Sequence, residues 1–211
     1  MSASVKMDAG KELPAPDWDE IWKDDCSRPL VIFKLYARLR KRSYRRLLSG
    51  IVLENKNIIE LGGGSGHLTS LVGRELQAAV TLIDNSRQAI EFSKKFKISG
   101  VDYLFGDMFE HRGSYDLVLS DGLIEHFRGA ELSKVIRLHT KLVKDEGHIA
   151  IFVPRNSFFV RRFLSLKGAY EKKYGFEEFI RVLKENGLEV KRTVVDFHML
   201  GALCVPVKHS G

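Results

Sequence analysis

"NIIELGGGSGHLTSLV", residues 57–72, decides how the rest of the chain is read. A short apolar run carries an acid, Glu60, passes through Leu61 into Gly62, Gly63, Gly64 and Gly66, and then gives way to a helical pattern. Glycine permits a left-handed backbone and lets a ligand touch the main chain. A strand that ends in this way and opens a helix is a ligand cradle, and in open α/β sheets the ligand sits beyond the carboxyl ends of the strands. Three ligands compete. A phosphate-binding loop needs GxxxxGK[ST], and no Lys-Ser or Lys-Thr follows these glycines. The dinucleotide fingerprint GxGxxG fails at its third glycine, where His67 stands instead. The remaining ligand is a nucleoside carrying an amino acid, because Glu60 would repel a pyrophosphate but can attract an ammonium group.

Outward from this turn a rhythm sets in. "NIIEL" (57–61), "AVTLID" (79–84), "VDYLFGD" (101–107), "YDLVLSD" (115–121) and "GHIAIFVP" (147–154) are short, apolar and rich in Val, Ile, Leu and Phe. They predict strands buried on both faces. Between several of them lie helical patterns, such as Leu68, Leu71, Val72 and Leu76 on one face and Leu132, Val135, Ile136, His139, Leu142 and Val143 on another. Strand alternating with helix predicts a doubly wound α/β parallel sheet with helices on both sides. The last third differs: a helix over 175–186 stops at Gly187, and strands near 188–195 and 202–208 have no helix between them. They predict a hairpin, so one of the two is antiparallel to the rest.

The strand ends carry acids. Asp84, followed by Asn85, stands 20 residues after Gly64, where a carboxylate can accept both hydroxyls of a ribose. It can equally cap the helix that follows, a role Ser86 could share. Asp107, after Gly106 and before Met108, can accept from an adenine amino group or simply close a turn.

These stretches together resemble class I S-adenosylmethionine-dependent methyltransferases. "IIELGGGSGHLTSLV" looks like the family's (E/D)xGxGxG motif, "LIDNS" (82–86) its ribose loop and "FGDMF" (105–109) its adenine loop. "YDLVLSDGLIEHF" (115–127) and "KLVKDEGHIAIFVP" (141–154) are similar to its fourth- and fifth-strand motifs. The resemblance covers residues 50–208. It implies a Rossmann-like seven-stranded sheet with an antiparallel last strand inserted between the fifth and sixth. It also implies S-adenosyl-L-methionine as cofactor, with Glu60, Leu61 and the Gly62–Gly66 backbone at the methionine part. Asp84 and Asn85 fall at the ribose, and Gly106, Asp107 and Met108 at the adenine. Gly63 is an addition to the pattern that loosens the turn.

In "SDGLIEHF" (120–127), Ser120, Asp121 and Gly122 are expected to line the cofactor where methyl group and acceptor meet. Asp121 and His126 are the catalytic candidates. An imidazole titrates near neutrality, which suits a general base, whereas Glu125 and His126 as packing residues are the plainer alternative. The family carries such a pair across different substrates. His139 is expected to be a half-buried structural histidine, and His67 could touch the cofactor carboxylate. No His, Asp or Glu set has metal spacing.

The 211 residues and 44% hydrophobic content suffice for one core. We expect residues 1–49 to form a tail and helical lid and 50–211 the cofactor-binding domain. Residues 1–16 read as a loose tail, and "DWDEIW" (17–22) as an anchor or part of the lid. Pro29 suits the start of a helix that Gly50 ends. No apolar run spans a membrane, no secretory leader is seen, and Cys26 and Cys204 have no redox spacing, which predicts a cytoplasmic protein. The net charge is +7, concentrated in 34–48. That basic helix, and the segment 155–176 with Phe159, Phe163, Leu166 and Tyr170, have three readings: a wall of the acceptor pocket, a contact for RNA or peripheral membrane, or a solvated face. The expected function is methyl transfer to a small, partly hydrophobic acceptor. The alternatives are an RNA or protein methyltransferase, which would lack NPPY or a catalytic cysteine here, and a non-catalytic cofactor-binding partner subunit.

Overall fold

The computed structural model describes residues 16–26, 30–96, 98–157 and 170–208. Its elements in chain order are α1 (Trp18–Cys26), α2 (Leu30–Leu47), β1 (Asn57–Leu61), α3 (His67–Glu75), β2 (Ala79–Asp84), α4 (Arg87–Lys94), β3 (Val101–Phe105) and β4 (Tyr115–Asp121). There follow a 3₁₀ turn (Ile124–His126), α5 (Gly129–Leu142), β5 (Val143–Pro154), α6 (Phe176–Glu185), β6 (Leu188–Val195) and β7 (Met199–Pro206). The tail before residue 16, Pro29, Phe159, Phe163 and Leu166 lie outside the described residues.

The strands form one seven-stranded sheet in the order β3-β2-β1-β4-β5-β7-β6. All neighbours are parallel except the two pairs made by β7, which runs antiparallel between β5 and β6. The chain reverses sheet direction between β1 and β4, so the carboxyl ends of these two strands flank the crevice where doubly wound folds bind ligands.

The buried runs explain the layers. Successive residues of a strand point to opposite faces. Ile58 packs with Ala37, Tyr44 and Leu47 of α2 and Leu68 and Val72 of α3. Its neighbour Ile59 packs with Val135, Ile136 and Leu142 of α5 and Phe179 and Leu183 of α6. The α2 helix thus shares a core with β1, β4, β5 and β7. β5 begins at Val143, four residues before the sequence pattern starts, with a register irregularity against β4 between Tyr115 and Leu117. Gly187 ends α6 with φ of 79°, as its position predicted.

Candidate functional site

The glycine turn leaves β1 with Gly62, Gly64 and Gly66 at φ of 60°, 50° and 52°, a conformation that side chains disfavour. The space is also taken. A Cβ on Gly62 would meet Leu123 at 2.6 Å, one on Gly64 would meet the Trp22 indole at 2.5 Å, and one on Gly66 would run into Leu82. The turn is locked to β2 by Gly63 N–H donating to the Ile83 carbonyl at 3.0 Å. Gly63 itself is not left-handed; it serves as this tie.

Glu60 is buried, and its Oε2 has no hydrogen-bond partner among the described residues. Burial, and then the nearby Asp121 charge, push its carboxyl well above the usual range. A buried carboxylate oxygen without a partner is costly, and a cationic donor lying over the glycine turn would complete it. Asp84 is also buried. Its Oδ2 accepts from Gly64 N–H and its Oδ1 from Ser86 N–H, each at 2.8 Å. A carboxylate has about four acceptor positions, so both oxygens keep capacity for ribose hydroxyls. The α4 cap is Ser86, whose Oγ accepts from Ala89 N–H at 3.1 Å. Asp84 therefore ties the glycine turn to the second strand end while Ser86 does the capping. Asn85 and Asp107 are exposed at neighbouring strand ends, Asp107 Oδ1 accepting from Phe109 N–H at 2.9 Å. Gly106 N–H donates to the Asp84 carbonyl at 3.0 Å, which brings the two loops together, and Met108 packs partly buried against the α5–α6 core.

At the end of β4 the neighbouring side chains diverge. Ser120 is fully buried and its Oγ pairs with His139 Nε2 at 2.9 Å, so its side chain faces α5 and only its main chain is left for a ligand. The expectation that Ser120 lines the cofactor rests, in this geometry, on its main chain. The same bond, with His139 Nδ1 donating to the Val135 carbonyl at 2.9 Å, makes His139 a buried structural residue whose pKa burial lowers to about 4. Asp121 turns the other way, towards Glu60. Its Oδ2 accepts from Arg40 Nη1 and from the Tyr44 hydroxyl at 2.7 Å. Arg40 is fully buried, and its Nε also pairs with Asp196 Oδ2 at 3.3 Å in the turn between β6 and β7. Burial alone would raise the Asp196 carboxyl, but a hydrogen bond from His198 and the Arg40 charge hold it below the usual range. Tyr36 adds a bond to His198 Nε2 at 2.7 Å. Asp121 and Asp196 thus bracket a single guanidinium, with Glu60 beside Asp121. That excess of negative charge suits a cationic ligand and disfavours a pyrophosphate.

His126 Nδ1 lies 2.6 Å from the Tyr170 carbonyl. A carbonyl only accepts, so Nδ1 carries the proton and Nε2 the lone pair of the neutral ring. Burial lowers its pKa, which keeps it neutral. Glu125 beside it is buried, and burial followed by its like-charged neighbours raises its carboxyl well above the usual range. His67 stacks on Phe96 with centroids 4.0 Å apart, and burial lowers its pKa to about 4. Among the described residues no group of three or more His, Cys, Asp and Glu could hold a metal ion.

Sequence reasoning left "DWDEIW" between an anchor and a lid. Helix α1 lies across three strand ends. Trp22 covers Gly64, Trp18 meets the His126 ring edge-on at 4.9 Å, and Asp19 Oδ1 accepts from Ser86 Oγ at 2.7 Å and Gln88 N–H at 3.2 Å. Arg40 was missed altogether, counted among surface cations. The signal was present: Ala37, Arg40, Tyr44 and Leu47 recur at helical spacing on the buried face of α2.

Comparison with known proteins identifies the family and the fold. The sequence model of a family described as a methyltransferase domain matches residues 34–203. No curated protein matches the chain in sequence. Several solved structures share the fold at low identity. One is a chain from the complex between the Haloferax volcanii Trm112 methyltransferase activator and a methyltransferase, with TM-score 0.71 and 14% identity over 92% of this chain and 99% of that one. Another is the DhpI–SAH complex, with TM-score 0.69 and 16% identity over 91% and 94%. A third is magnesium protoporphyrin IX methyltransferase from Synechocystis PCC 6803 with bound SAH, with TM-score 0.63 and 15% identity over 89% and 93%.

Proposed function

This chain belongs to the methyltransferase-domain family, whose methyl donor is S-adenosylmethionine, and on that premise we propose that its acceptor is a small, partly hydrophobic molecule bound beneath α1. The observation that carries the reading is the pair of indoles: Trp22 rests on the glycine turn and Trp18 on His126. An acceptor reaching the strand ends has to slide under an aromatic roof, which favours a flat or apolar group over a polymer needing an open groove. The name of the Synechocystis neighbour, whose acceptor is a porphyrin, supports a small molecule in the same direction.

In this reading the Gly62–Gly66 backbone and Glu60 hold the methionine part of the donor, with Glu60 Oε2 taking the ammonium. Asp84 with Asn85 holds the ribose, and Asp107 with Gly106 and Met108 the adenine. Bound there, S-adenosylmethionine supplies an electrophilic methyl group on a sulfonium, and the displaced thioether leaves neutral. The protein therefore needs no acid for the leaving group. Its task is to align the acceptor and exclude water, and orientation of this kind supplies about 7–11 kcal/mol. His126 Nε2 removes the proton of an acceptor that enters protonated, a contribution of about 10²–10⁴-fold. Asp121 was the other catalytic candidate. Arg40 and Tyr44 both donate to its Oδ2, so we assign it the positioning of α2 against β4 and a negative charge near the sulfonium.

The test is methyl transfer from radiolabelled donor to panels of small phenols, carboxylic acids and amines, run beside total RNA and a protein extract. Label moving to members of the small-molecule panels, and not to RNA or protein, is the expected outcome. Transfer confined to RNA or protein overturns the acceptor class, and donor binding without transfer to any class makes the chain a non-catalytic subunit.

A further inference from the structure

The buried face of α2 builds the site, but its opposite face has no partner among the described residues. Val31, Leu35 and Leu39 follow each other at four-residue spacing and are 66%, 58% and 59% exposed. Residues four apart on a helix form one ridge, so three aliphatic side chains stand in line on the solvent side. A second ridge runs beside it at the same spacing: Arg38, Arg42 and Arg46, all exposed. Lys34 flanks it, and no Asp or Glu occurs between Leu30 and Gly50. The cations of α2 divide by place. Lys41 and Arg45, on the flank turned to α3, both pair with Glu75. Arg38, Arg42 and Arg46, on the outer face, make no ion pair among the described residues.

The turn beside the buried face of α2 exposes apolar side chains as well. Tyr36 and Arg40 tie the turn between β6 and β7 to α2 through His198 and Asp196, and that turn carries Val195 and Phe197, 50% and 47% exposed. An apolar ridge and a parallel cationic ridge, with an aromatic residue alongside, match an interface of hydrocarbon lying under anionic headgroups.

We propose that the outer face of α2, with Phe197, docks this protein on an anionic lipid surface. The charge pattern selects this occupant. RNA would satisfy the arginines but has no counterpart for a ridge of Val31, Leu35 and Leu39. A second copy meeting the first through this face would set two rows of arginine against each other, since a two-fold contact brings the same patch to itself. Arg40 and Tyr44 line the site from the same helix, so docking sets the acceptor entrance beside the membrane.

The experiment is co-sedimentation of the full chain with phosphatidylcholine vesicles, with and without phosphatidylglycerol, at low and high salt. Binding to the anionic vesicles alone, weakened by salt, is expected. R38Q/R42Q/R46Q should lower vesicle affinity roughly 100-fold, and L35S/L39S at least about tenfold. Both variants change only exposed side chains, and unaltered donor binding by calorimetry shows that they are folded. The proposal is overturned if the anionic vesicles are not bound, if both variants bind as the wild type does, or if the same substitutions abolish binding to a homopolymeric RNA and leave vesicle binding intact. It is equally overturned if L35S/L39S turns a dimer into a monomer by light scattering without changing vesicle binding.

Discussion

Replacing Glu60 by Gln probes the centre of the site. The change is isosteric; it removes the charge and replaces one acceptor oxygen by an NH2 donor. Glu60 Oε2 is buried and has no hydrogen-bond partner among the described residues, so an ammonium placed there makes a charge-assisted hydrogen bond shielded from water. Such bonds contribute about 1.5–3 kcal/mol, so E60Q should weaken S-adenosylhomocysteine binding by roughly 10- to 150-fold. The sign of the pH dependence follows from the raised carboxyl. Ligand-free Glu60 holds its proton above the usual carboxylate range, so the ligand-free fold loses stability as pH rises from that range to the raised value. A bound ammonium favours the carboxylate, so binding releases a proton in this interval. Wild-type affinity therefore climbs with pH there, and E60Q stays flat. Calorimetry in buffers of different ionisation heat reads both the affinity and the proton. Methylthioadenosine, which lacks the amino-acid part, is the control and should bind both proteins alike. Equal losses for the two ligands would mean that Glu60 acts through the fold, and no loss for either would refute the ammonium assignment.

Three further outcomes follow from the same contacts. R40M leaves Asp121 and Asp196 buried without their cation, a change that costs about 3–5 kcal/mol; the melting temperature should fall by roughly 10 °C, and by less in R40M/D121N, whereas a fall of under about 2 °C contradicts the network. H126Q should cut turnover by about 10²–10⁴-fold with donor affinity unchanged. Because burial lowers the His126 pKa, wild-type rate should fall only below the ordinary imidazole range as pH decreases, and a midpoint above that range would remove His126 as the base. G66A forces a Cβ into Leu82 at a φ of 52°, which should destabilise the fold by about 2–4 kcal/mol in denaturant titration; a wild-type midpoint would show that the turn has room.

The sheet was legible because its strands are buried on both faces and so read as unbroken apolar runs, and because the glycine turn marks where β1 ends. That Asp84 stands beside the glycine turn was legible because its distance from Gly64 is set by one strand–helix–strand unit. Arg40 was not, because a charge inside a run of charges looks solvated, and only its phase with Ala37 and Tyr44 gives it away. The directions of Ser120 and Asp121 were equally hidden. Alternation along β4 says that neighbours oppose each other, but which of them faces the ligand depends on His139 from α5 and Arg40 from α2, contacts made by residues far apart in sequence. The covering of Gly64 by Trp22 belongs to the same class: tryptophans near a terminus do not announce what they cover.

The account rests on a cradle built for a cationic amino-acid nucleoside. Calorimetric titration of the purified chain with S-adenosylmethionine, S-adenosylhomocysteine and NADH tests that directly. Binding of the first two with Kd of roughly micromolar order, and none of NADH, is the predicted result. Binding of NADH without the other two would contradict it, because the carboxylates around Glu60 would then have admitted a pyrophosphate.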